Sequence, residues 1–130
     1  MAAVTRLHLY YLSTCDTCAR IMKELQVDQF PFVLQDIKYE PVTRKQAEEM
    51  AELVAQQYSS PPYESLFSKV ALKYRSMGLN KMDLTEADYK KYLLQEYTFL
   101  KRPVFIIGNR IFMGNAPKTI LAVAEALHAF

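Results

Sequence analysis

In Leu7-His8-Leu9-Tyr10-Tyr11-Leu12-Ser13-Thr14-Cys15-Asp16-Thr17-Cys18 an apolar run gives way to apolar residues at helical spacing, continuing through Ile21, Met22 and Leu25. The spacing predicts a strand over 7–12 and a helix from about 16 to 26, joined by Cys15-Asp16-Thr17-Cys18. A strand that hands over to a helix through C-x-x-C puts the first sulfur at the helix N-terminus. There the free N–H groups and the macrodipole favour a thiolate. These are the chain's two cysteines, and the layout is that of a thiol redox site rather than of an inert core pair.

Beyond that unit, Phe32-Val33-Leu34-Gln35-Asp36-Ile37 reads as a second strand, parallel to the first because a helix joins them. Thr43 with Gln46 forms a capping box for a helix carrying Ala47, Met50, Ala51 and Val54, and Ser59-Ser60-Pro61-Pro62 breaks it. Residues 63–97 read as purely helical, with Leu66, Phe67, Val70, Ala71 and Tyr74 on one face and Gly78 as a stop. Thr85 with Asp88 opens a further helix bearing Tyr89, Leu93 and Leu94. Pro103-Val104-Phe105-Ile106-Ile107, Gly108-Asn109 and Arg110-Ile111-Phe112-Met113 form a tight antiparallel hairpin. Pro117 begins a last helix with Ile120, Leu121, Val123, Ala124 and Leu127, expected to close over one face of the sheet. The order βαβ, helical insert (about 43–98), ββα predicts an α/β fold with a thioredoxin-like mixed four-stranded sheet.

A chain of 130 residues at 51% hydrophobic composition suits one buried core, so a single domain over 1–130 is expected. The net charge of +2, from 16 basic and 14 acidic residues mixed along the chain, gives the whole molecule no field strong enough to hold nucleic acid by itself, which leaves only a local basic patch open. Lys69, Lys73, Arg75 and Lys81 crowd the insert with positive charge, most simply a solvated face. No apolar stretch approaches the ~20 residues that span a bilayer. The N-terminus lacks the charged and cleavable pattern of a signal peptide. A cytoplasmic location without a membrane partner is therefore expected, and in that reducing compartment a reversible redox pair reads better than a structural disulfide.

Taken in order, several segments resemble one family. They are Tyr-Tyr-Leu-Ser-Thr-Cys-Asp-Thr-Cys at 10–18, Leu-Gln-Asp-Ile-Lys at 34–38, Leu-Phe-Ser-Lys at 66–69, Lys-Tyr-Arg-Ser-Met-Gly-Leu at 73–79, Leu-Lys-Arg-Pro-Val at 100–104 and Met-Gly-Asn at 113–115. With these the chain resembles the arsenate reductase (ArsC) and Spx family of thioredoxin-like proteins, nearly end to end. The resemblance implies that Cys15 is the nucleophile, that Arg102 points at the same site, and that Pro103 lies in a cis-proline loop opposite the redox turn. Thr14, Thr17 and Pro103 are expected to bind substrate or shape the site. Arsenate reductases of the family carry two further arginines around the oxyanion. The matching positions here hold Val70 and either Met113 or Gly114, while Arg75 and Arg110 fall at structural positions.

Arsenate is largely a dianion at neutral pH, and bringing it to a thiolate requires cationic donors around it. With Arg102 alone, disulfide chemistry is the better expectation. Cys15 would be depressed moderately, since Asp16 opposes the amides, and Cys18 would act as the resolving thiol. The expected activity is that of an ArsC-family thiol–disulfide oxidoreductase. Glutathione with glutaredoxin, or thioredoxin, is the reductant implied by resemblance, and no bound cofactor is expected. The alternative is an Spx-like redox-responsive regulator that binds the RNA polymerase α subunit. C-x-x-C also opens structural zinc sites, but His8 and His128 lie 120 residues apart with no second paired motif, so no metal is expected. Tyr89, Tyr92, Tyr97 and Phe99 fit insert packing rather than a base-stacking platform.

Overall fold

The computed structural model describes residues 6–129. Its strands are β1 (Leu7–Tyr11), β2 (Val33–Asp36), β3 (Val104–Ile107) and β4 (Arg110–Met113). Its helices are α1 (Asp16–Glu24), α2 (Arg44–Gln57), α3 (Pro62–Leu66), α4 (Leu72–Ser76), α5 (Glu86–Gln95) and α6 (Pro117–His128). Two compact units result: residues up to Glu40 together with those from Arg102 onward, and Pro41–Lys101.

The first unit holds the sheet, in the order β2-β1-β3-β4. β1 and β2 run parallel, whereas β3 is antiparallel to both β1 and β4. This is the thioredoxin-like arrangement expected from the βαβ and ββα ends. Alternation along β1 sends Leu7 and Leu9 to one face, where they join Phe105, Ile107 and Phe112 from β3 and β4. Ile21 of α1 and Val123 and Leu127 of α6 complete that core. Burying an aliphatic side chain of this size contributes about 1.5–3 kcal/mol. Leu121, expected on the apolar face of α6, is instead 61% exposed. The opposite sheet face buries Tyr10, Val104, Ile106 and Ile111, and with them His8. Gln35 donates its side-chain amide to the Glu40 carbonyl at 2.9 Å and so turns Oε1 toward His8 Nε2, 3.0 Å away.

The β3–β4 hairpin closes through Gly108 and Asn109. Gly108 has φ 64°, the left-handed value that the first central position of a type II′ turn requires. α1 ends earlier than its pattern suggested, because Gln26 turns left-handed at φ 53° and leads into a single 3-10 turn over Val27–Gln29.

In the second unit both capping boxes form. Thr43 Oγ1 accepts from Gln46 N while Gln46 Oε1 accepts from Thr43 N, each at 3.1 Å. Thr85 and Asp88 exchange the equivalent pair at 3.3 and 2.9 Å. Residues 63–97 are not purely helical, however. After α3 the chain extends at Phe67, which bridges to Leu100, and Ser68 N donates to the Phe99 carbonyl at 2.7 Å. This puts the Phe67 ring against Phe99, Tyr89 and Tyr74, at centroid distances of 4.8, 5.0 and 5.7 Å. Tyr92 meets Phe99 edge-on. Val70, expected on the buried face, is 92% exposed, because the extended turn after Phe67 resets the helical phase. Gly78 does end α4, in the left-handed conformation at φ 73°. Lys69 and Lys73 pair with Glu64 and Glu96, which offsets part of the insert's positive charge.

Candidate redox site

β1 delivers the chain to a turn closed by Cys15 N donating to the Leu12 carbonyl at 3.0 Å. Cys15 then takes the N-cap of α1 with extended backbone (φ −101°, ψ 111°), and its own carbonyl accepts the first helical bond from Ala19 N at 3.2 Å. A sulfur at the N-cap lies beside the amides that a helix leaves unpaired at its start. Cys15 is partly exposed; Cys18, one turn further on, is completely buried. Both are free thiols.

Their electrostatics differ in sign. Partial burial works to raise the Cys15 thiol, but the Cys18 N–H, the Cys18 thiol, the Thr17 N–H and the Arg102 charge together hold it below its ordinary value. Burial pushes the Cys18 thiol up to about 11, with the Cys15 charge and hydrogen bond adding to the rise. The Leu12 N–H and Arg102 oppose it. Arg102 thus acts on both sulfurs. It is half-buried and precedes Pro103, and the Arg102–Pro103 peptide is cis. Pro103 is buried and its carbonyl accepts from Gly114 N at 2.9 Å.

The expected site residues therefore have distinct places. Thr17 contributes its backbone amide to Cys15, whereas Thr14 is exposed in the turn. Asp16, the acidic residue of the first turn, is solvent-exposed. Met113 ends β4 opposite Val104, and Arg110 stacks over the Phe112 ring at 4.8 Å. Among the described residues no group of three or more His, Cys, Asp or Glu gathers to hold a metal. Among the same residues no helix is long and apolar enough to cross a membrane.

Two residues around the turn escaped sequence reasoning. Asp36 Oδ1 accepts from Ser13 N at 3.4 Å and from Lys38 N at 3.2 Å. Burial works to raise the Asp36 carboxyl, but the Ser13 hydroxyl, the Lys38 and Ser13 amides and the Lys38 charge hold it below its ordinary value. The available signal was the parallel pairing of β1 and β2, which brings both C-terminal strand ends to the redox turn.

Solved structures similar to this one share its fold. A putative arsenate reductase from Yersinia pestis superimposes with a TM-score of 0.72 at 13% identity, over 89% of this chain and 98% of that one. An arsenate reductase from Vibrio cholerae gives 0.73 at 9% identity, over 93% and 99%. In sequence, an arsenate reductase from Haemophilus influenzae is 30% identical over 50 residues, a stretch covering 38% of this chain and 43% of that relative. The profile of the ArsC family matches residues 10–123. With the C-x-x-C turn, the cis-proline and the sheet order inside that span, the chain belongs to the ArsC family.

Proposed function

We propose that the protein is a thiol–disulfide oxidoreductase in which Cys15 is the nucleophile and Cys18 the resolving thiol. The observation that carries this reading is the asymmetry of the pair. One sulfur is partly exposed with its thiol lowered, and the other is buried with its thiol raised to about 11.

In the first step the Cys15 thiolate attacks one sulfur of a substrate disulfide. A Cys15 mixed disulfide forms and the other substrate sulfur leaves as a thiolate. The Cys15 negative charge is then gone, and with it the contribution that helped to keep Cys18 protonated. Arg102 still favours a Cys18 thiolate. Cys18 loses its proton to solvent and attacks the Cys15 sulfur, which expels the second substrate thiolate and leaves a Cys15–Cys18 disulfide. The substrate has gained two electrons and the pair has lost them. Two thiols of a reductant, glutathione with glutaredoxin or thioredoxin, restore the starting state. Arg102, Thr14, Thr17 and Pro103 would line the approach to Cys15, and a cytoplasmic location would keep the pair supplied with reductant.

Arsenate is the weaker substrate reading. Among the described residues Arg102 is the arginine that acts on Cys15, and Val70 and either Met113 or Gly114 stand at positions the family resemblance assigns to arginine. The C-x-x-C pair, with Met113-Gly114 in place of the third arginine, favours a second reading, an Spx-like regulator that needs the disulfide but no oxyanion cradle and that would bind the RNA polymerase α subunit. Purified protein and Cys15→Ser are to be assayed for reduction of a small disulfide and of arsenate with each donor. Cys15-dependent turnover of the disulfide supports the oxidoreductase. If no donor sustains turnover, that reading fails, and redox-dependent capture of the α subunit then decides the regulator.

A further inference from the structure

The turn that carries Cys15 to the head of α1 is held from outside the helix at Ser13. Tyr11, the last residue of β1, lies in register with Asp36, the last of β2, and Ile37 N donates to the Tyr11 carbonyl at 2.9 Å. That register sets the Asp36 carboxylate beside the turn, where Oδ1 accepts from Ser13 N at 3.4 Å as well as from Lys38 N at 3.2 Å. The Lys38 contact alone would be an ordinary Asx turn, in which a carboxylate caps the backbone two residues on. The Ser13 contact is different in kind, because it crosses from one strand to the other and grips the residue two before the nucleophile.

The position of the Cys15 sulfur relative to the Thr17 and Cys18 amides depends on how Leu12–Cys15 is folded. Its end points are fixed by Cys15 N on the Leu12 carbonyl and by the first helical bond. Ser13 lies between them and is itself exposed, so solvent competes for its N–H unless Asp36 takes it. We propose that Asp36 is a positioning residue for Cys15: through the Ser13 N–H, its carboxylate holds the turn that sets the Cys15 sulfur at the N-terminus of α1. This rests on the thiol–disulfide reading above, but the test is made on Cys15 itself, with no substrate.

The sign separates positioning from plain charge. A carboxylate near a thiolate raises the thiol's pKa through its charge, so its removal by that route would lower Cys15. Loss of positioning does the reverse, since a sulfur moved off its amides is harder to ionise. The groups that act on Cys15 directly are those of Cys18, Thr17 and Arg102, and all stay in place in the variants.

In full-length protein, the rate of Cys15 alkylation by iodoacetamide is followed against pH, with the modified site read by mass spectrometry. Asp36→Ala is expected to move the midpoint upward and slow alkylation at pH 6.5 about three- to tenfold. Asp36→Asn keeps Oδ1 as acceptor and is expected to stay within about twofold of wild type, or to move downward. Asp36→Val, which removes the acceptor while keeping a residue that suits a strand end, should move upward as Asp36→Ala does, and it decides the matter if Asp36→Ala does not fold. An Asp36→Ala or Asp36→Val profile that coincides with wild type overturns the proposal, whatever happens to the melting temperature. So does a downward shift shared by Asp36→Ala and Asp36→Asn. A wild-type Cys15 that titrates low but never joins Cys18 would sink the redox reading and leave this result standing.

Discussion

Cys15 and Cys18 stand three positions apart at the start of one helix, yet Cys15 is partly exposed with a lowered thiol and Cys18 is fully buried with a thiol raised to about 11. Their titrations are linked, because each sulfur acts on the other. The Cys18 thiol hydrogen-bonds to Cys15 and lowers it, and the Cys15 charge raises Cys18. Replacing either residue must therefore move its neighbour. Cys18→Ala should raise the midpoint of Cys15 alkylation, since one of the groups that lower it is gone while burial still acts. Cys15→Ser should lower Cys18. Ultraviolet thiolate absorbance of each single-cysteine protein against pH measures both, and two unmoved midpoints would contradict the coupling.

The same pair makes stability depend on pH in a definite direction. A thiol raised in the folded state leaves stability whole below its unfolded value and erodes it as pH rises toward the folded one. Cys18 should thus cost roughly 2–3 kcal/mol between about pH 9 and 11. Cys15 acts oppositely: its lowered thiol stabilises above the unfolded value, and that contribution is lost as pH falls through the folded one. Urea unfolding of wild type and Cys18→Ala across pH 8 to 11 isolates the first effect. The variant should lose less stability over that range.

Arg102 is the cation that acts on both thiols. Arg102→Ala should raise Cys15 and Cys18 together and slow Cys15 alkylation near neutral pH about two- to threefold, a modest effect because burial and the amides weigh more. Arg102→Lys should recover part of the rate, and added salt should narrow the gap between wild type and Arg102→Ala. Alkylation rates in low and high salt provide the check.

Ile21 anchors α1 to the sheet. It is 1% exposed and packs in the cluster that contains Leu7, Leu9 and Phe105. Ile21→Ala removes most of that side chain and should destabilise the protein by about 2–5 kcal/mol, read as a lower urea midpoint with an unchanged slope. By contrast, Val70→Ala, at a position 92% exposed, should change stability by less than about 0.5 kcal/mol.

Local chemistry was legible in the sequence; tertiary register was not. The strand–C-x-x-C–helix unit, the Thr43–Gln46 and Thr85–Asp88 caps, the Gly78 stop and the Gly108 hairpin each follow from a few neighbouring residues, and the structure has them all. Residues 63–97 misled because Leu66, Phe67 and Tyr74 do fall at helical intervals. What orders Phe67, however, is its bridge to Leu100, 33 positions away, and a ring cluster whose members come from three further segments. Leu121 and Val70 had the right periodicity with nothing in the sequence to show that they face water. The Ser13–Asp36 contact was hidden for a related reason. It exists through the parallel pairing that places Tyr11 opposite Asp36, a register that periodicity alone leaves open.

The most direct test of Cys15 as nucleophile and Cys18 as resolver is intact-mass analysis after a short exposure to oxidised glutathione, for wild type and Cys18→Ser in parallel. The account predicts that wild type loses both free thiols to a Cys15–Cys18 disulfide without retaining glutathione, and that Cys18→Ser accumulates one glutathione on Cys15. A stable glutathione adduct on wild type, an adduct on Cys18, or two thiols that stay free throughout would contradict it.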